Sequence, residues 1–230
     1  MDTLISGSPC SNSFRKYLIT NCLSPVFEGV EVVRIADDVS WSDNLSNGLR
    51  QITADYVLLN VEDLIICDRV DHNKLSAIVS EFISGNGDYL RLNPTPKGVD
   101  VGGAIDIVPA GDVSSTIFSI WRKDVLRSIL RSGESAWAFG IYGTSRTDCF
   151  SKWFAVKDHL LSYVNLVIKG KVDPRAFAAL NRCGIVYHTQ RPFLSRLELL
   201  KLVAREKRSA VFGLLPRRLR RAIRDLFRPV

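Results

Sequence analysis

Short apolar runs alternate with amphipathic segments along most of the chain. Runs of strand type occupy residues 3–5, 17–20, 30–35, 56–61, 89–92, 104–108 and 116–121. The run at 56–61 is continuously apolar, which is typical of a strand that is covered on both faces. Strands alternating with helices in this way predict a layered α/β domain.

Helical periodicity marks the segments between these runs. Ser42 can cap a helix that carries Leu45, Leu49 and Ile52 on one side. A second helix is predicted over about residues 71–84, and its inward positions are Leu75, Ile78, Val79, Phe82 and Ile83. Further helices are expected at 122–131 and from Asp173-Pro174 to Gly184, while residues 133–146 form a loop with a short helical piece.

Composition fits a globular protein with one domain. The 230 residues are 46% hydrophobic and 24% charged, and no run of about 18 apolar residues predicts a membrane span. The first residues lack the basic and apolar regions of a secretory signal. Five widely spaced cysteines without a C-x-x-C pair favour thiols in a reducing cytoplasm, and the three histidines do not have zinc-site spacing.

The positive charge is concentrated at one end of the chain. Residues 191–230 contain 12 Lys and Arg against three acidic residues, a net charge of +9, whereas the other 190 residues have a net charge of −2. A nearly neutral body argues against a domain built to bind nucleic acid.

The apolar run at 56–61 ends in the acidic pair Glu62-Asp63. In open α/β sheets, ligands bind outside the carboxyl ends of the strands. Two carboxylates there can hold a divalent cation, which can in turn bind a diphosphate. The alternative is a solvated acidic turn before the next helix.

Several segments resemble a family of bacterial glycosyltransferases found in surface-polysaccharide pathways, GT-A-type proteins related to glycosyltransferase family 2. In that family a Trp begins a helix, and an apolar strand then ends in an acidic pair equivalent to the Asp-x-Asp motif. Residues 41–63 resemble this arrangement, with Trp41 at the helix start and Glu62-Asp63 at the strand end. The resemblance extends over roughly residues 30–190 and includes segments 91–96, 120–126, 134–139, 143–146 and 167–171.

The resemblance implies a GT-A-like, Rossmann-like mixed sheet flanked by helices over residues 1–190. It also implies transfer of a sugar from a nucleotide-diphosphate sugar to a glycan acceptor, which can be lipid-linked, with Mn²⁺ or Mg²⁺ bound by Asp63 and Glu62. The remaining residues that it assigns to the nucleotide-sugar site are Asp37, Asp38, Trp137, Arg146 and Lys171. For each charged residue, a solvated surface position is the alternative.

The chain departs from the family at the expected general base. The family has Trp-Glu-Phe-Glu where this chain has Trp137-Ala138-Phe139-Gly140. Losing a base costs about 10²–10⁴-fold in rate. Glu134 or Asp148 could substitute, and otherwise the chain is a non-catalytic relative that binds or scaffolds. The eleven residues between Ile5 and Tyr17 are also too few for the long first helix of such a domain.

The last forty residues are predicted to be a basic helical extension. Gly213 is expected to break a first helix, and a second one begins at Pro216, with its apolar stripe at Leu219, Ala222, Ile223, Leu226 and Phe227. Arginines fill its other positions, and those expected to bind lipid phosphates are Arg217, Arg218, Arg220, Arg221 and Arg224. This pattern favours a cytoplasmic protein attached peripherally to the inner face of the cytoplasmic membrane. A helix docked on the domain is the main alternative, and nucleic-acid binding is the least favoured.

Overall fold

The structure is a computed structural model that describes residues 14–21, 24–35, 37–61, 63–95, 97–108, 115–147 and 149–214, with side chains up to residue 208. The predicted strand at 3–5, the helix after Pro216 and the candidate residues Glu62 and Asp148 lie outside these ranges. Within the described residues, no helix is both long and apolar enough to cross a membrane.

The strands of the described residues are β1 (Lys16–Thr20), β2 (Val30–Arg34), β3 (Tyr56–Leu59), β4 (Leu64–Ile66), β5 (Tyr89–Arg91), β6 (Val99–Asp100), β7 (Ile105–Ile107), β8 (Ser119–Arg122), β9 (Trp153–Val156), β10 (Tyr163–Asn165), β11 (Val167–Ile168) and β12 (Lys171–Val172). The helices are α1 (Trp41–Gln51), α2 (His72–Ser84), α3 (Lys123–Ile129), α4 (Ala136–Tyr142), α5 (Pro174–Arg182) and α6 (Arg196–Leu214). A 3₁₀ helix at Gly143–Arg146 follows α4.

Six strands form a mixed sheet in the order β3-β8-β5-β9-β7-β6. Strand β8 is antiparallel to both β3 and β5, and β5 is parallel to β9. Strands β3, β5 and β9 therefore run in the same direction, and their carboxyl ends meet at one edge of the sheet. The expected layered α/β class, with a mixed sheet flanked by helices, is confirmed.

In the described ranges, three pairs of short strands lie outside the main sheet. β1 and β2 are parallel, whereas β4 pairs antiparallel with β10 and β11 with β12. A separate apolar cluster joins β4, β12 and α5 through Ile65, Val172 and Leu180. This part of the chain is adjacent to the end of β3, because β4 begins within five residues of it.

Helices cover both faces of the main sheet. On one face α1, α3 and α4 pack against Tyr89, Trp121 and Trp153, all of which are fully buried. On the other face Phe82 of α2 packs in a cluster with Leu90. Successive residues of a strand point to opposite faces, so Tyr89 and Leu90 of β5 contribute to different layers. The prediction that β3 is covered on both faces is wrong, because β3 lies at one edge of the sheet and Leu58 is exposed.

Helix α1 starts two residues earlier than predicted. Ser40 is its N-cap and accepts a hydrogen bond from the backbone N–H of Asp43. Ser42 is instead buried, and its hydroxyl donates to the carbonyl of Arg131 at 2.6 Å. A serine cap is recognised only by its type and position in the sequence, and here two serines stand close enough to compete.

The predicted inner stripe of α2 is confirmed at Leu75, Ile78 and Phe82. The prediction for Ile83 is wrong, because this side chain lies at the margin of the stripe and is exposed. The cap of α5 by Asp173, followed by Pro174, is also confirmed.

In two segments the extent of helix differs from the prediction. Residues 133–146 contain α4 and the 3₁₀ helix. Helix α6 continues through Gly213 to Leu214, so the expected break does not occur there. One glycine costs a helix only about 1 kcal/mol relative to alanine, which neighbouring residues can offset.

Replacing Phe82 by Ala should lower the free energy of unfolding by about 3–5 kcal/mol, because the ring is fully buried between α2 and the sheet. Ile83→Ala, one position along on the exposed side, is the matched control and should change it by no more than about 0.5 kcal/mol. Urea unfolding of both variants measures the difference. Equal losses would contradict the assigned orientation of α2.

Candidate functional site

The candidate site lies at the edge where β3, β5 and β9 end. The residues that follow these strands are Asn60 and Val61, Leu92 and Asn93, and Lys157 and Asp158. Ligands of α/β sheets bind outside the carboxyl ends of strands. Asp63, the predicted metal ligand, belongs to the segment that leaves this edge after β3.

Asp63 is held in the short segment between β3 and β4. Its side chain is partly buried, and its backbone carbonyl accepts a hydrogen bond from the N–H of Leu166 at 2.8 Å. The carbonyl of Leu166 in turn accepts from the N–H of Asp173 at 2.9 Å. The position of Asp63 is thus fixed from two sides, by the main sheet and by the segment that leads from β10 into β11.

The described side chains near Asp63 can be compared with the ligands that the expected metal ion requires. Among the described residues, no three His, Cys, Asp or Glu side chains converge as a metal-binding group. Glu62 lies outside the described residues, so this finding does not include it. Mg²⁺ commonly takes only one or two protein carboxylates and completes its shell with water and substrate phosphates. Asp63 at this edge fits such a partial set, because the substrate would supply the remaining oxygens.

A buried arginine stands at the centre of the same edge. Arg91, the last residue of β5, is almost fully buried, and its Nε donates to the carbonyl of Asn93 at 2.8 Å. Asn93 also donates through Nδ2 to the hydroxyl of Tyr163 at 3.2 Å. Sequence analysis did not single out Arg91 as a site residue. The signal was a charged residue in an otherwise apolar strand, since arginine is rarely buried without a partner.

A buried polar network fixes the chain where it enters β8. The hydroxyl of Tyr89 accepts from the N–H of Ser115 at 3.2 Å, and Ser119 Oγ donates to the carbonyl of Ser115 at 2.6 Å. Trp121 Nε1 donates to Ser119 Oγ at 2.9 Å. Burial raises the pKa of Tyr89 to about 12, so the phenol stays protonated at neutral pH. These bonds hold the rim of the edge in position.

Lys157, which follows β9, is engaged by two carboxylates. It donates to Asp100, and its Nζ lies 3.8 Å from Asp106 Oδ1. The bond to Asp100 raises the pKa of Lys157, and the same bond lowers the pKa of Asp100. Lys157 is therefore neutralised within the protein and does not provide an open positive charge for a phosphate.

Two residues assigned to different roles by sequence form one ion pair. Glu134, a candidate base, is bound by both terminal nitrogens of Arg146, a candidate phosphate ligand. Their side chains are only 13% and 19% exposed. Arg146 Nη1 also donates to the carbonyl of Ile129 at the end of α3, at 2.6 Å. The pair consequently joins α3 to the 3₁₀ helix. For Glu134 to act as a base, or for Arg146 to bind a phosphate, some of the hydrogen bonds between them would have to break.

The segment that carries Glu134 is fastened to the start of α1. Asp43 Oδ2 accepts hydrogen bonds from Ser40, from Ser132 and from the N–H of Gly133, at 2.6, 3.1 and 3.0 Å. The bonds from Ser40 and Gly133 hold the pKa of Asp43 below its ordinary value. The backbone N–H of Ser42 also donates to the carbonyl of Glu134 at 3.1 Å. Sequence analysis missed Asp43, whose role depends on contacts about ninety residues away.

The other predicted nucleotide-sugar residues are spread over different elements. Trp137, near the start of α4, is 81% exposed. Asp37 and Asp38 follow β2 and are exposed, and Asp38 accepts hydrogen bonds from Asn21 and Asn44 at 3.3 and 2.6 Å. These geometries leave Trp137 and Asp37 accessible to a ligand.

Lys171 belongs to a different group of contacts. Its Nζ lies 2.6 Å from Glu198 of α6, and Arg175 of α5 binds Glu206 of the same helix at 2.9 Å. The structure therefore pairs Lys171 with α6, whereas the resemblance implied a phosphate or a charged acceptor. Cys67, at the end of β4, is half-buried, and burial raises the pKa of its thiol, as expected of a packed residue.

Substituting Glu134 by Gln should lower the free energy of unfolding by about 3 kcal/mol, because Arg146 would remain buried without its carboxylate. The double variant Glu134→Gln with Arg146→Met should lose less than the sum of the two single variants, which urea unfolding can measure. Glu28→Gln, at an exposed glutamate, is the control and should be nearly neutral. Additive effects would show that the pair does not contribute as a unit.

Helix α6 should loosen in acid. The hydrogen bond from Lys171, followed by those from Ser195, lowers the pKa of Glu198 from 4.5 to about 2. A depressed carboxyl pKa stabilises the folded contact above pH 4.5, and this contribution is lost as the pH falls from about 4.5 towards 2. Amide-exchange protection factors of α6 should therefore fall over this range more than those of α2. In Glu198→Gln this pH dependence should be smaller, and an unchanged profile would contradict the assignment.

No family model matches the chain, and no curated protein or solved structure matches it either.

Proposed function

We propose that the chain is a GT-A-type glycosyltransferase that transfers a sugar from a nucleotide-diphosphate sugar to a glycan acceptor, lipid-linked acceptors included. The observation that carries the proposal is the position of Asp63. This carboxylate lies four residues after the end of β3, whose carboxyl end belongs to the same edge of the mixed sheet as the carboxyl ends of β5 and β9. It is the location at which α/β sheets bind ligands.

In this proposal Asp63 and Glu62 hold the divalent cation, Mn²⁺ or Mg²⁺. When bound, the cation would neutralise charge on the diphosphate as the bond to the sugar breaks. Asp37 lies after β2, exposed and able to accept hydrogen bonds from a nucleotide. The exposed ring of Trp137 offers an apolar surface on which a sugar or a base can stack.

Of the two candidate bases, only Glu134 lies within the described residues, and it would take the proton from the acceptor hydroxyl. A carboxylate has about four lone-pair sites, and Arg146 occupies two of them. The remaining sites can receive a proton only if an acceptor reaches a side chain that is 13% exposed. Catalysis by Glu134 thus requires the segment before α4 to move or the acceptor to enter deeply.

The same ion pair supports a second candidate function, a non-catalytic binding or scaffold protein with the same fold. Glu134 and Arg146 satisfy each other and tie α3 to the 3₁₀ helix, which is a sufficient structural reason for both residues. Ala138 and Gly140 stand where the related glycosyltransferases are expected to carry carboxylates. A protein of this kind would bind a nucleotide sugar without turning it over.

Attachment to the inner face of the cytoplasmic membrane completes the proposal. Its support is the sequence of residues 215–230, which contains six arginines and one acidic residue around an apolar stripe. Such a segment is suited to anionic lipid headgroups. A lipid-linked acceptor would then be presented at the same surface.

The test is thermal unfolding of the whole chain with a panel of nucleotides and nucleotide sugars, with and without Mn²⁺. A ligand at 100 times its dissociation constant should add about 2.7 kcal/mol, a shift of several degrees. Asp63→Ala should abolish the metal-dependent part, because it removes the carboxylate that meets the cation. The control Asp68→Ala changes an exposed acidic residue five positions later and should keep the shift.

The outcomes separate the two candidates. No shift with any nucleotide sugar would refute the donor site, and an equal shift in Asp63→Ala would refute the role of that residue. Binding without release of nucleoside diphosphate in the presence of acceptor glycans would favour the non-catalytic protein.

A further inference from the structure

Helix α6 presents two chemically different faces. Its inner side chains Leu199, Leu202 and Val203 are partly buried. Its two acidic residues also turn inward, since Glu198 pairs with Lys171 of β12 and Glu206 with Arg175 of α5. The contacts with the body therefore engage all the negative charge that residues 196–208 possess.

The opposite side of α6 exposes apolar side chains. Leu197 is 62% exposed and Leu200 67% exposed. Residues three apart are neighbours on a helix surface, so the two leucines form one patch, and the exposed Ala204 continues it by one turn. We call this surface the outer face of α6.

Basic residues surround this patch. They are all exposed, and they are Arg196, Lys201, Arg205, Lys207 and Arg208. Within the part of the chain that the structure describes, none of the five forms an ion pair or a side-chain hydrogen bond. The outer face therefore combines two leucines with positive charge that no described acidic residue compensates, which is the composition of a helix that lies in the interface of an anionic membrane.

We propose that the outer face of α6 lies on an anionic lipid surface. Leu197 and Leu200 enter the boundary between headgroups and acyl chains, and the surrounding Lys and Arg side chains contact lipid phosphates. The inference rests on the membrane attachment proposed above and deepens it. It makes the binding surface part of the folded domain, held at a fixed orientation by Glu198 and Glu206.

Charge complementarity favours anionic lipid over the other possible occupants of the outer face. A second copy of the chain would bring five basic residues against five basic residues. The segment that follows α6 has Arg217, Arg218, Arg220, Arg221, Arg224 and Arg228 against a single acidic residue. The positive charge of this segment would repel it from the outer face. Anionic lipid, in contrast, can attract both the outer face and the segment.

The experiment is co-sedimentation of the whole chain with phosphatidylcholine vesicles and with vesicles that contain 30% phosphatidylglycerol. The wild-type chain should bind the anionic vesicles, and the double variant Leu197→Ser with Leu200→Ser should bind them at least tenfold more weakly. Val186→Ser removes an exposed apolar side chain outside α6 and is the control, with unchanged binding expected. Thermal unfolding should be alike in all three proteins, because the replaced side chains are exposed.

A third variant, Arg220→Ala with Arg221→Ala and Arg224→Ala, separates α6 from the segment after it. If this variant loses binding while the leucine variant binds like wild type, the inference for α6 is overturned and the proposed attachment stands. If the wild-type chain does not bind anionic vesicles, the attachment itself is refuted. If the leucine variant changes the molecular mass in gel filtration and not the vesicle binding, the outer face is an interface between copies and the inference is overturned.

Discussion

The central packing of three aromatic rings sets the geometry of the sheet. Tyr89 of β5 lies between Trp121 of β8 and Trp153 of β9, with ring centroids 4.5 and 4.6 Å away. The three residues are register partners across the sheet. Because the side chains of a strand repeat every two residues, a slip of any one of these strands by one position would move its ring to the face of α2. The same register aligns Arg91 with Ser119 and Ala155 at the carboxyl edge.

The packing of the sheet thus prepares an edge whose polar groups largely satisfy one another. Tyr89, Ser115 and Ser119 hold the chain at the start of β8, while Asp100 and Asp106 neutralise Lys157. The buried hydrogen bonds of Tyr89 and Ser119 confer rigidity, since each broken bond would leave a desolvated donor or acceptor. A ligand at this edge would therefore contact a rigid surface. Asp63 belongs to the short segment between β3 and β4.

Charged groups fix the segment before α4, which carries the candidate base Glu134. Asp43 fixes it to α1, and the ion pair of Glu134 with Arg146 fixes it to α3 and the 3₁₀ helix. Ion pairs also dock α6, through Glu198 and Glu206, where the apolar contacts are only partial. The segment before α4 and helix α6 are therefore held in part by ionised groups, and acid that protonates these carboxylates would weaken their contacts.

The sequence by itself determined the elements whose signals are local. The inner stripe of α2, the cap of α5 by Asp173 and the layered α/β class follow from periodicity, cap chemistry and strand–helix alternation, which depend on residues a few positions apart. The role of Asp63 remains a prediction, although the order of residues alone predicted its place after an apolar strand. Tertiary structure decided what depends on distant partners. It made Ser40 the cap of α1 and buried Ser42, it joined Glu134 to Arg146, it turned Lys171 towards Glu198, and it left Leu197 and Leu200 exposed among basic side chains. Periodicity states that a face is apolar, but only the packing of the whole chain decides whether that face is covered.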